Sequence, residues 1–93
     1  MLTKIESELA KLITTGLDLK IAFESIDPNE PMFGEGLGLD SIDRLEISLL
    51  LASKYNVKIK PDDKNNFKIF QSLRSLGQYM ELNAKNHFFL TKI

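Results

Sequence analysis

The sequence predicts an all-α fold: a small four-helix bundle with a long first loop and a short third helix. Three observations lead there. Apolar residues recur at spacings of three and four in three separate stretches. Side chains suited to helix capping stand at the start of each. The two segments that alternate like strands, Leu17 to Phe23 and Val57 to Lys60, are too short and too few to make an independently stable sheet. At 93 residues the chain is expected to form one domain, with a core over about 2–82 and a C-terminal tail over 83–93.

The first helix opens with the pattern Thr3-Lys4-Ile5-Glu6, in which the Thr3 hydroxyl can accept from the Glu6 amide while the Glu6 carboxylate returns the bond. Leu2, Ile5, Leu9, Leu12 and Ile13 form its apolar face, and Gly16 is a natural stop. "LDLKIAFE" then reads as an extended, packed connection. "SIDPNEPMFGEGLGL" carries two prolines and three glycines and reads as a long loop, anchored on the bundle by Ile26, Met32, Phe33, Leu37 and Leu39. A second helix starts after Asp40, the natural N-cap, and runs to about Tyr55 or Asn56. Ile42, Leu45, Leu49 and Ala52 make one stripe of it, and Ile47, Leu50 and Leu51 a second, so it should face the core on one side and something else on the other. "PDDKNNF" permits a short helix near Asp62 to Asn66, with Pro61 early, or a turn. Phe67 and Phe70 should pack before a last helix capped by Ser72, whose face carries Leu73, Leu76, Tyr79 and Met80. Gly77 within it suggests a close backbone approach or plain tolerance.

Composition narrows the chemistry. The chain has no cysteine, so no disulfide framework and no thiolate metal site is available; a cytoplasmic protein without a metal is expected. No apolar run approaches the roughly 18 residues that a membrane span needs. The net charge of −1 conceals an asymmetry. Ten acids face four bases up to Leu50 (−6), and three acids face eight bases after it (+5). The lysines lack interleaved aromatics, so no nucleic-acid partner is expected.

One serine stands out, in "GEGLGLDSIDRLEI". A hydrolase nucleophile would need an oriented base, and the only histidine, His87, lies in the tail. The surrounding Leu39-Asp40-Ser41-Ile42-Asp43 also lacks the glycines of a nucleophile elbow. No catalytic residue is expected. As a dinucleotide loop "GEGLG" fails as well, because it follows no strand and has Leu39 where the third glycine belongs. Ser41 could simply occupy the first turn of a capped helix. That placement nevertheless puts an exposed hydroxyl where the helix dipole and free amides favour negative charge, so a phosphoester on Ser41 would be well placed.

"GLDSIDRLEI" resembles the Asp-Ser-Leu/Ile signature of acyl carrier proteins, with Gly38-Leu39-Asp40-Ser41-Ile42 at its centre. The likeness extends over about residues 2–82 and includes the final "SLRSLGQYM". It implies that Ser41 bears a covalent 4′-phosphopantetheine, with Asp40 the acid immediately before it. It further implies that Ile42, Asp43, Arg44, Leu45, Glu46 and Leu49 are read by partners. Those partners would be a phosphopantetheinyl transferase and acyl-loading, ketosynthase or acyltransferase enzymes of fatty-acid or related lipid or polyketide biosynthesis. The implied protein is a monomeric carrier, not an enzyme, whose borrowed thiol holds acyl groups as thioesters. Ile47, Leu50, Leu51, Leu73 and Leu76 could part to shelter an acyl chain.

The chain also departs from the family. Carriers of general fatty-acid synthesis have several acids along the second helix, whereas here Arg44, expected to be exposed, sits beside the motif and Ala52, Ser53 and Lys54 end the helix. The loop looks more like those of specialised carriers. A peptidyl carrier would more typically show Gly-Gly-His/Asp-Ser, so the leucine-aspartate approach favours acyl cargo. The alternative is an unmodified helical module whose apolar second-helix stripe binds one partner.

Overall fold

Thr3 accepts the Glu6 amide at 3.2 Å and its own amide donates to Glu6 Oε1 at 3.0 Å, closing the reciprocal cap that starts α1 (Lys4–Gly16). The computed structural model describes residues 2–34, 36–60 and 63–92, with side chains to residue 83. Ile5, Leu9 and Ile13 bury the face that their spacing outlines, and Leu2 and Leu12 pack at its edge. Glu6 is buried as well. Its Oε2 meets Arg74 Nε at 3.3 Å, an ion pair that joins α1 to the start of α3 (Leu73–Lys92). A Cβ on Gly77 would stand 3.2 Å from Glu6 Cγ, so the glycine allows the close approach of the two helices.

α2 (Ser41–Tyr55) turns Ile47 and Leu51 into the core with Tyr55, and ends at Asn56, whose φ of 58° is the left-handed stop. Beyond it Val57 and Ile59 are buried in an extended segment. In α3, Leu73, Leu76 and Met80 are buried and Tyr79 packs against them. Ser72 and Ser75 cap this helix reciprocally, each accepting the other's amide at 3.0 and 3.1 Å. Its backbone stays helical to Lys92, through the tail that sequence alone left open.

Three α-helices, not four, are found among the described residues. Where a short third helix was expected there is one 3₁₀ turn, Lys64–Asn66. Local side-chain bonds explain this: Asp63 accepts the Asn65 amide at 2.9 Å, and Asn66 Nδ2 donates to the Lys60 carbonyl at 2.8 Å. Such bonds compete with the helical ladder. Pro61 and Asp62, expected at its start, lie outside the described residues, as do the side chains of the tail. No strand forms among the described residues, and Phe23–Ser25 makes a 3₁₀ turn within the first connection.

The long loop is pinned along its length. Met32 donates to the Gln71 carbonyl at 2.9 Å, and Arg74 donates to the Pro28 carbonyl at 2.9 Å, so the loop is laced to the approach of α3. Leu39 returns to the Met32 carbonyl at 3.2 Å. Ile26, Met32 and Leu39 are buried anchors, as expected, whereas Phe33 and Leu37 are only partly buried. Gly36 is required here, because a Cβ would overlap the Pro31 carbonyl. Gly38 takes a φ of 75°, which brings the chain round to the N-cap of α2.

Candidate functional site

Asp40 has extended backbone and caps α2 with a carboxylate that accepts the Asp43 amide at 2.9 Å, while Asp43 Oδ2 accepts the Asp40 amide at 3.0 Å. Two of the helix's free donors are satisfied in this way. The Asp43 amide holds the Asp40 carboxyl below its ordinary pKa of 3.8; desolvation opposes it, and the Asp43 side chain and the Ile42 amide add smaller help. The acid at the head of α2 is therefore charged at neutral pH.

Ser41 is the first residue of α2 and is exposed. Its hydroxyl enters none of the hydrogen bonds among the described residues, so it is neither locked as a cap nor paired with a base. The capping is done by Asp40 instead, which leaves the hydroxyl free for another role. An esterified phosphate on its oxygen would meet the positive end of the helix dipole and no packed side chain. The residues present thus fit a phosphate-linked group at this position.

Down the same helix, Ile42, Leu45 and Leu49 are 74%, 49% and 58% exposed, and together they form an apolar stripe beginning beside Ser41. Ile47 and Leu51, from the other stripe, are fully buried, so the two sides of α2 divide as the periodicity suggested. Leu50 lies between, over Gly16, where a Cβ would meet its Cδ1 at 2.5 Å. Asp43, Arg44 and Glu46 are partly buried.

Arg44 differs from the freely exposed charge expected of it. Its guanidinium carbon lies 4.8 Å from the Phe67 ring centroid and 5.6 Å from that of Phe33. Its Nε is buried and has no hydrogen-bond partner. These aromatics come from the loop before α2 and the segment before α3. Phe67, expected to pack like Phe70, is 46% exposed, whereas Phe70 is buried. With Pro31, Lys68 and Gln71 they line a shallow cleft of about 320 Å³ beside the head of α2. Neither the stack nor the cleft was visible in the sequence, because no spacing links Arg44 to Phe33 or Phe67. The sequence carries no local signal for them, since Phe33 stands eight residues before Ser41 and Phe67 twenty-six after it.

No group of residues able to hold a metal is found among the described residues, and no helix among them is long and apolar enough to cross a membrane. The chain matches the family model for the phosphopantetheine attachment site over residues 15–80. No curated protein and no solved structure matches it.

Proposed function

Because the chain belongs to the phosphopantetheine attachment site family, whose members carry a covalently attached 4′-phosphopantetheine, we propose that Ser41 bears this arm and that the protein is a carrier of acyl groups. One observation carries the assignment to Ser41: an exposed hydroxyl with no hydrogen bond of its own at the first position of α2, in a turn already capped by Asp40. In the attachment step the Ser41 oxygen bonds to the phosphorus of a phosphopantetheine donor such as coenzyme A. The bond to the donor's nucleotide breaks, and the hydroxyl proton passes to the transferase. When bound, the arm supplies the thiol that a chain without cysteine lacks, and so can hold an acyl group as a thioester.

The carrier role implies encounters with a phosphopantetheinyl transferase and with biosynthetic enzymes. Ile42, Leu45 and Leu49 are the surface these partners would bury, with Asp43, Arg44 and Glu46 at its rim. We take the carrier to be cytoplasmic and monomeric; Arg44 and the lysine-rich second half favour dedicated partners in a specialised lipid or polyketide pathway over the general fatty-acid set. The exposed stripe is also what an unmodified interaction module would show. Intact mass after co-expression with a phosphopantetheinyl transferase separates the two readings. The wild type should gain one phosphopantetheine and Ser41→Ala none, with the variant's stability within about 1 kcal/mol of wild type because the lost hydroxyl is exposed. An unmodified wild type, or modification surviving in Ser41→Ala, would overturn the assignment.

A further inference from the structure

The cleft beside the head of α2 combines features that an acyl chain alone would not require. Arg44 and Lys68 bring two cations to it and Gln71 an amide, while Pro31, Phe33 and Phe67 supply apolar walls. The ion pairs formed among the described residues are Lys20–Asp18 and Arg74–Glu6, and neither reaches this cleft. Arg44 Nε is buried without an acceptor, a costly state for a charged donor. Two aromatic faces offset part of that cost but accept no hydrogen bond along the guanidinium edge.

We propose that this cleft binds the carboxylate of an acidic acyl group carried on the chain's own arm, an inference that rests on the carrier reading above. Nε is closed to solvent, so a carboxylate in the cleft approaches the partly exposed end of the guanidinium and takes its two terminal nitrogens, a bidentate geometry that arginine favours. Lys68 adds a second charge, and the aromatic walls enclose the methylenes between carboxylate and thioester. Low local dielectric beside the rings strengthens the pair relative to open water. A purely aliphatic chain would instead strip water from two cations with nothing to replace it.

Position supports the same occupant. Ser41 and Arg44 are three residues apart on α2, where side chains stand roughly 5–6 Å from one another at Cβ. Helical side chains lean toward the N-terminus, so Arg44 leans toward the turn that holds Ser41. A flexible arm rooted at Ser41 therefore has its far end within reach of the cleft by folding back. The exposed stripe for partners lies on Ile42, Leu45 and Leu49, outside the cleft lining, so cargo and partner share only Arg44 at the rim.

The test compares two cargoes of the same shape. Coenzyme A analogues bearing glutaryl, or its neutral ω-amide, are joined to the arm through an amide so that the cargo stays attached, and a phosphopantetheinyl transferase loads them onto the full chain. Both loaded forms carry the same arm phosphate, so their difference reports the carboxylate alone. Intact mass first verifies loading; absence of any mass gain overturns the carrier reading, and the cleft's cargo with it. With loading confirmed, the glutaryl form should melt about 4 °C or more above the ω-amide form. The Arg44 Nε–H resonance should move only with glutaryl. Both differences should be lost in Arg44→Gln and reduced in Lys68→Gln, a change at an exposed side chain that keeps the test available if Arg44→Gln folds poorly. Loaded forms that melt together and leave the Arg44 Nε–H resonance in the same place would overturn the proposal while leaving the carrier reading standing.

Discussion

The Asp40 carboxylate accepts the Asp43 amide, and this bond ties folding to proton loss. Its pKa is held below 3.8 in the folded chain, so its contribution to stability is present above 3.8 and fades as pH falls through its folded value. Tyr55 acts in the opposite direction. Burial first, then the charge of Glu8 and a 3.4 Å hydrogen bond to its Oε1, push the phenol from 10.0 up to about 12. The neutral phenol is the form the fold favours. Its contribution is therefore whole below pH 10 and is lost as pH rises from 10 to about 12. Tyr55→Phe removes that titration. The unfolding free energy of wild type minus that of Tyr55→Phe should be flat below pH 10 and decline from there to about 12. A difference that stays level across the alkaline range would show that Tyr55 titrates as it does in the unfolded chain.

Among the elements, the loop before α2 holds Ser41 in place through anchors of unequal weight. Met32 is fully buried and its amide bonds to the Gln71 carbonyl, so Met32→Ala should cost about 2–5 kcal/mol. A fully buried phenylalanine would cost about 3–5 kcal/mol on truncation. Phe33 is only partly buried, with Arg44 over one face, so Phe33→Ala should cost less than that range and less than Met32→Ala. Urea unfolding of both variants checks the order, and a larger loss at Phe33 would refute it. The contrast also shows what the sequence could reveal. Ile47 and Leu51 against Ile42, Leu45 and Leu49 could be sorted because helical periodicity is local. Capping at Thr3, Asp40 and Ser72 was legible because each bond spans three residues. The Phe33, Arg44 and Phe67 stack was not, since its geometry depends on two connections converging on α2. The short third helix failed for a related reason: Asp63 and Asn66 form local bonds that helical propensity alone does not weigh.

For the molecule as a whole, the proposed carrier role makes charge a candidate for setting which enzymes approach easily. The chain is −6 up to Leu50 and +5 beyond it, and Lys54, Lys58, Lys60, Lys64 and Lys68 are all exposed after or at the end of α2. Arg44 is partly buried against two rings, so its charge is less open to direct contact with a partner than its position beside Ser41 suggested. The exposed lysines are the better candidates for partner choice. An enzyme that offers basic residues to a carrier meets like charge here, which slows encounter more than it weakens a formed contact. Reversing Lys54 and Lys58 together to glutamate should therefore raise the rate at which a general acyl-loading enzyme with a basic docking surface acylates the phosphopantetheinylated chain. Both side chains are exposed, so stability should change little. The gain should shrink at high salt, since exposed charges are screened over about 10 Å at 0.1 M ionic strength and about 3 Å at 1 M. Rates measured at those two ionic strengths decide the matter. Equal rates for wild type and the double variant at low salt would remove the lysines from partner selection. Fast turnover of the wild type by the general enzyme would remove the specialised pathway with them.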